Sequence, residues 1–250
     1  MKLLLDMGNS RLKSTVLNDS GDLTRVTCVA YDGREPIVTL AKHLDCYHNV
    51  KTLVLVSVLG RRFYEHVVAL CFERNISLQW VASEAQAHNV TNYYQVPEQL
   101  GSDRFVALVG ARQLFPEHNC IVIDAGTAVT IDALTADGVF SGGVIIPGLK
   151  LWSDSLIGRA DQLYSHQIKE INLFAKDTAQ AIGSGSVFGL TGAIEGICSR
   201  MSEELQRSNN TGSVPKFIIC GGDAELISQQ SKLEFELLPN LVLMGLAEYT

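Results

Sequence analysis

Two short segments, 118 residues apart, repeat one device. The first is Leu3-Leu4-Leu5 followed by Asp6-Met7-Gly8-Asn9, and the second is Ile121-Val122-Ile123 followed by Asp124-Ala125-Gly126-Thr127. Each reads apolar strand, Asp, any residue, Gly, a polar amide or hydroxyl, then a second strand. Solenoid repeats recur every ~20–50 residues, so a period this long fits two related lobes instead. We place the division after Pro116, with an N-terminal lobe over 1–116 and a C-terminal lobe over 117–250.

The pattern between the two bends supports this. Residues 12–17 alternate apolar and polar, and predict a hairpin with 3–6 across Met7-Gly8-Asn9-Ser10. Glu35-Pro36 opens a helix with Ile37, Leu40, Ala41 and Leu44 on one face and Pro in the first turn. The apolar run 53–59 reads as a buried strand, 62–74 as an amphipathic helix and 78–82 as a strand. Residues 89–100 carry little regular pattern and read as a loop. Ser102 or Asp103 caps a helix to about Leu114, which Pro116 ends. Strands follow at 120–124, 129–134 and 139–146, the last closed by Pro147-Gly148. Helical pattern runs from Leu151 and from Thr178 to about Leu205, with a polar loop over 208–214. A strand at 216–220 ends in Gly221-Gly222-Asp223, and helices fit 224–230 and 241–249. Strands alternating with helices predict an α/β fold with mixed sheets.

Composition narrows the function classes. Lys plus Arg number 20 against 27 Asp plus Glu, a formal charge of −7, where a nucleic-acid binder would show a basic excess. With 46% hydrophobic and 19% charged residues the chain has ample material for a core. No uninterrupted apolar stretch approaches the ~18 residues of a membrane span, and Asp6 ends the first run before a signal-peptide core forms. The six cysteines are scattered without a C-x-x-C pair, which predicts reduced thiols and a cytoplasmic location. Three N-x-[ST] sequons, at Asn75, Asn89 and Asn209, read as chance matches.

The bends suit phosphate. Gly lets main-chain N–H groups approach an anion, and Asn9, Ser10 and Thr127 add short donors. Asp6 and Asp124 repel phosphate and become useful only with a cation or its water in between. Lys13 lies one strand-length beyond the first bend. Taken alone, either bend is also an ordinary hairpin. Asp103, in Leu100-Gly101-Ser102-Asp103-Arg104, is either a helix N-cap or a carboxylate that orients and deprotonates a substrate hydroxyl. The planar fork of Arg104 suits a carboxylate or phosphate. Gly221-Gly222 fits a flat ring lying on bare backbone or a tight strand–helix turn, and Gly142–Gly148 fits a bulge and turn. No P-loop, zincin motif or paired C-x-x-C is present.

These motifs together resemble the type III pantothenate kinases of the acetate and sugar kinase/Hsp70/actin superfamily. The resemblance is carried by Asp6-Met7-Gly8-Asn9-Ser10-x-x-Lys13, by Tyr94-x-x-Pro97-x-x-Leu100-Gly101-Ser102-Asp103-Arg104, by Asp124-Ala125-Gly126-Thr127-Ala128-Val129-Thr130-Ile131-Asp132 and by Gly142–Gly148. It implies two ribonuclease H-like, actin-like ATPase lobes with mixed sheets flanked by helices. It also implies ATP-dependent phosphorylation of pantothenate to 4′-phosphopantothenate, the first step toward coenzyme A. By motif match, Asp6, Met7, Gly8, Asn9, Ser10, Arg11, Leu12, Lys13 and Thr127 bind ATP. Tyr94, Gly101, Ser102, Asp103, Arg104 and Thr178 bind pantothenate, with Asp103 as the base. Asp124 holds a monovalent cation, K⁺ or NH₄⁺, and Mg²⁺ accompanies ATP. A homodimer is implied, with no nucleic-acid or membrane partner. The competing expectations are a phosphatase or another small-molecule kinase on the same fold, a nucleotide-binding accessory regulator without turnover, and an actin-like structural protein.

Overall fold

The computed structural model describes residues 1–18, 20–157, 170–209 and 213–250. In the first unit, β1 (Lys2–Met7), β2 (Arg11–Leu17) and β3 (Thr27–Ala30) are followed by α1 (Pro36–Asp45), β4 (Thr52–Ser57), α2 (Arg61–Glu73) and β5 (Ser77–Val81). The short strands β6 (Gln86–Ala87) and β7 (Val90–Asn92), a 3₁₀ turn at Pro97–Gln99 and α3 (Ser102–Leu114) complete its main run. The sheet runs β3-β2-β1-β4-β5, with β2 antiparallel to β1 and β3, and β4 parallel to β1 and β5.

The apolar run of β1 has a physical reason. Leu3, Leu5 and Met7 point into a core with Leu53 and Leu55 of β4, Leu40 and Leu44 of α1, and Phe63, Val67 and Cys71 of α2. The alternate residues Leu4, Val54 and Val56 are equally buried, on the face where α3 packs on β4. A strand covered on both faces reads as continuously apolar.

The second unit holds β8 (Cys120–Ala125), β9 (Ala128–Leu134), β10 (Val139–Pro147), α4 (Leu149–Ile157), α5 (Thr178–Asn209), β11 (Lys216–Cys220), α6 (Ala224–Gln230) and β12 (Glu236–Leu237). Here β8 pairs antiparallel with β9 and parallel with β11, β9 pairs with β10, and β11 pairs with β12. The order β10-β9-β8-β11-β12 is that of the first unit, strand for strand, so the repeated bend marks a repeated sheet. By length and composition α5 could cross a membrane. In the structure its Val187, Leu190, Ile194, Cys198 and Leu205 line the second unit's core.

The last helix, α7 (Leu241–Ala247), departs from the sequence reading. That reading assigned 117–250 to the second lobe, but residues 240–250 belong to the first unit, with Met1–Pro116. The helix lies against α3, β1, β2 and β4. Small residues let the two helices touch: a Cβ on Gly110 would come 2.7 Å from the Leu241 carbonyl oxygen, and one on Gly245 would overlap that of Val106. Two further readings change. Residues 89–100 contain β7 rather than loop alone, and β3 and β12 are strands that the periodicity did not mark. Of the loop expected at 208–214, residues 208 and 209 instead end α5, and 210–212 lie outside the described residues.

Candidate active site

Register places Asp6 of β1 directly opposite Lys13 of β2, and Met7 opposite Leu12. Successive strand residues face opposite ways, so Asp6 and Lys13 share the face away from the Leu3–Leu5–Met7 core. Side chains paired this way stand about 5 Å apart at Cβ. Met7 and Leu12 are fully buried, so only their main chain is available to a ligand. Asn9, Ser10 and Arg11 are exposed. The bend is closed by the Gly8 N–H donating to the Arg11 carbonyl at 3.1 Å. It is also held from a residue that the motif reading missed: the Tyr31 hydroxyl donates to the Gly8 carbonyl at 2.7 Å. Burial, and secondarily the charge of Asp6, pushes that hydroxyl's pKa far up.

The second group in the same unit is built around the head of α3. The N-cap position belongs to Gly101, and no side chain caps the helix. Asp103 therefore sits in the first turn rather than at the cap, which removes the capping reading. Its Oδ1 accepts the Arg104 N–H at 2.8 Å. A Cβ on Gly101 would come 2.8 Å from that oxygen, so the glycine makes room for the carboxylate. Burial raises the Asp103 pKa, against the opposing pull of the Arg104 N–H and charge. Arg104 is only 7% exposed. Its Nη1 donates to the Tyr94 hydroxyl at 3.2 Å, with the guanidinium carbon 5.8 Å from that ring's centre. The Ser102 hydroxyl accepts the Ser83 N–H at 3.3 Å. Tyr94, Gly101, Ser102, Asp103 and Arg104 are thus one constellation.

Asn92 organises its approach. Buried at the end of β7, it donates to the carbonyls of Glu84 (3.3 Å) and Pro97 (3.0 Å) and accepts the Tyr94 N–H at 3.1 Å. No motif pointed to Asn92; a buried amide before an irregular segment was the only signal.

The second unit repeats the bend with its own supports. Gly126 N–H donates to the Ala128 carbonyl at 3.1 Å, Gly148 N–H to that of Thr127 at 3.2 Å, and Asp223 N–H to that of Ala125 at 3.0 Å. A Cβ on Gly148 would overlap the carbonyl oxygens of Gly126 and Thr127. Gly142 carries φ +126°, and β10 is bulged between Phe140 and Gly142, as the bulge reading expects. Gly221, at φ +100°, lies against the Ala125 carbonyl and the Asp124 carboxylate. Both its conformation and its lack of a side chain serve that close approach, which accounts for the glycine without a flat ring. Asp124 is half-buried and Thr127 exposed. Thr178, exposed, is the first residue of α5, behind Asp177, whose Oδ1 accepts the Gln180 N–H at 2.8 Å. Among the described residues no three His, Cys, Asp or Glu side chains gather as a metal site. The Asp124 carboxylate and the Ala125 carbonyl, which both border Gly221, offer oxygen ligands of the kind that hard cations take.

The family profile described as type III pantothenate kinase matches residues 2–200. The chain belongs to the type III pantothenate kinase family. It is 35% identical to the type III pantothenate kinase of Herminiimonas arsenicoxydans over 253 aligned residues, covering 98% of this chain and 96% of that one. Among solved structures it is similar to a conserved Baf family protein from Campylobacter jejuni, at TM-score 0.62 and 19% identity, covering 98% and 96% of the two chains. It is also similar to the ethanolamine utilization protein EutJ of Carboxydothermus hydrogenoformans, at TM-score 0.56 and 15% identity, covering 100% and 89%. The fold is that of the actin-like ATPases and sugar kinases. In this type III pantothenate kinase, a five-stranded order recurs in each unit and, in the first unit, the Asp103–Arg104–Tyr94 group stands at the head of α3.

Proposed function

We propose that the protein is a pantothenate kinase, which moves the γ-phosphoryl group of ATP to the primary hydroxyl of pantothenate and releases ADP and 4′-phosphopantothenate. The observation that carries this is the part-buried Asp103–Arg104–Tyr94 constellation, with Arg104 at its buried centre, in a chain of this family. Asp103 accepts the hydroxyl proton as the substrate oxygen attacks the γ-phosphorus. A weak base suffices, because phosphoryl transfer is loose and the proton leaves late. Arg104 meets the pantothenate carboxylate with a planar fork. Its burial lowers the effective dielectric around the guanidinium and so strengthens the Coulombic attraction to an anion placed against it. Tyr94, Gly101, Ser102 and Thr178 complete the substrate set.

Asp6, the main chain from Met7 to Leu12, Lys13 and Thr127 handle ATP. Lys13 offsets charge on the transferring group. Mg²⁺, arriving with ATP, would neutralise the phosphate oxygens, and Asp124 would hold K⁺ or NH₄⁺. A homodimer and a cytoplasmic location belong to the same proposal, and the six cysteines, none of them in a disulfide, suit a reducing compartment. The test is a coupled ADP-release assay with and without pantothenate, repeated in K⁺, NH₄⁺ and Na⁺. Release that requires pantothenate, and is faster in K⁺ or NH₄⁺ than in Na⁺, is expected. ADP release indifferent to pantothenate would sink the substrate assignment.

A further inference from the structure

The bend after β1 is gripped twice by one side chain and its own main chain. Tyr31 directly follows β3, and its ring is 6% exposed in the core of the first unit. Its hydroxyl donates to the Gly8 carbonyl at 2.7 Å, and its N–H donates to the Ser10 carbonyl at 3.1 Å. The consequence follows from peptide geometry. In a planar trans peptide the carbonyl of one residue and the N–H of the next point to opposite sides. With the Gly8 carbonyl turned toward the Tyr31 hydroxyl, the Asn9 N–H is turned away from it. Gly8 has no Cβ, so nothing in its own stereochemistry opposes rotation of that peptide. The tyrosine hydroxyl supplies the restraint that glycine lacks.

We propose that Tyr31 is a positioning residue that locks the Gly8–Asn9 peptide with its N–H facing the phosphates of ATP. This rests on the reading of the first bend as a phosphate site. Tyr31 touches neither substrate and moves no proton. It keeps a donor aimed beforehand, which spares the bound nucleotide the cost of ordering the bend. Its hydroxyl is suited to the task, because burial and the charge of Asp6 keep it protonated.

Tyr31→Phe keeps the ring and deletes the O–H. We expect the Kd for ATP·Mg²⁺, read by calorimetry, and the KM for ATP to rise about tenfold, the scale of one hydrogen bond to a charged group. The KM for pantothenate should stay within about twofold. Tyr47→Phe is the control. Its hydroxyl lies 3.3 Å from the Ser14 hydroxyl, within the same core but away from the bend, and its loss should leave both KM values unchanged. Unaltered nucleotide affinity in Tyr31→Phe overturns the inference. So does a rise in both KM values together, with a fall in melting temperature, since that marks general loosening. Wild-type protein that binds ATP but shows no pantothenate-dependent turnover would instead overturn the substrate assignment, and the ratio of the two ATP affinities would still decide the role of Tyr31.

Discussion

Burial of Asp103 has opposite consequences for catalysis and for stability. Its raised pKa makes it a better proton acceptor and a costlier charge to enclose. Between the unfolded and the folded pKa the native state holds more protons than the unfolded one. Stability therefore falls as pH rises through that window, and the loss is complete above the folded pKa. Asp103→Asn should lower kcat by roughly 10²–10⁴. It should leave the melting temperature at pH 7 equal or higher, read by calorimetry on the same sample. The wild-type kcat should show an acidic limb above the ordinary carboxylate range, and the variant should lack it. Near-normal turnover in the variant would mean that the carboxylate serves only the local structure of α3.

At the scale of elements, the position of Asp103 depends on how α3 is seated, and α3 is seated by α7. The two helices meet at Gly110 and Gly245, where added side chains collide with main-chain carbonyls. Backbone cannot yield as the tip of a flexible side chain does. Gly245→Val is therefore expected to destabilise by about 1–3 kcal/mol, as overpacking does, measured as a shift in urea midpoint at constant slope. Gly185 of α5 provides the opposite case, since nothing lies within 4 Å of its missing Cβ. Gly185→Ala should stabilise by about 0.5–1 kcal/mol through helix propensity. If both glycine variants behave alike, the seating of α3 does not depend on that close contact.

The whole molecule is one sheet design used twice, with a carboxylate–glycine bend on the first hairpin of each copy. A ligand that binds only the folded protein stabilises it by mass action, about 2.7 kcal/mol at a hundred times its Kd. ATP·Mg²⁺ should accordingly raise the melting temperature of the wild type. Charge reversal at the first bend, Lys13→Glu, should abolish that shift and also lower the ligand-free melt, since it sets a second carboxylate directly opposite Asp6. A thermal-shift series over ATP concentration checks both. An undiminished shift in Lys13→Glu would remove Lys13 from the nucleotide site.

Local chemistry made much of this legible from residues alone. Asp-x-Gly between apolar runs announced both hairpins. Pro36 opened α1, Gly221-Gly222 preceded α6, and β1 was visible because burial on both faces leaves no polar alternation. Such signals need only a few neighbouring residues. What packing decided lay between distant ones: the Tyr31 hydroxyl reaches Gly8 across 23 residues, and Arg104 is buried against Tyr94 across 10. Helix α7 joins the first unit because Gly110 and Gly245 permit a contact that no periodicity encodes. Asp103 became a first-turn carboxylate rather than a cap once Gly101 took the cap position. Turn chemistry and side-chain period are written along the chain, whereas the partner of a buried polar group is chosen by the space left when the elements close on one another.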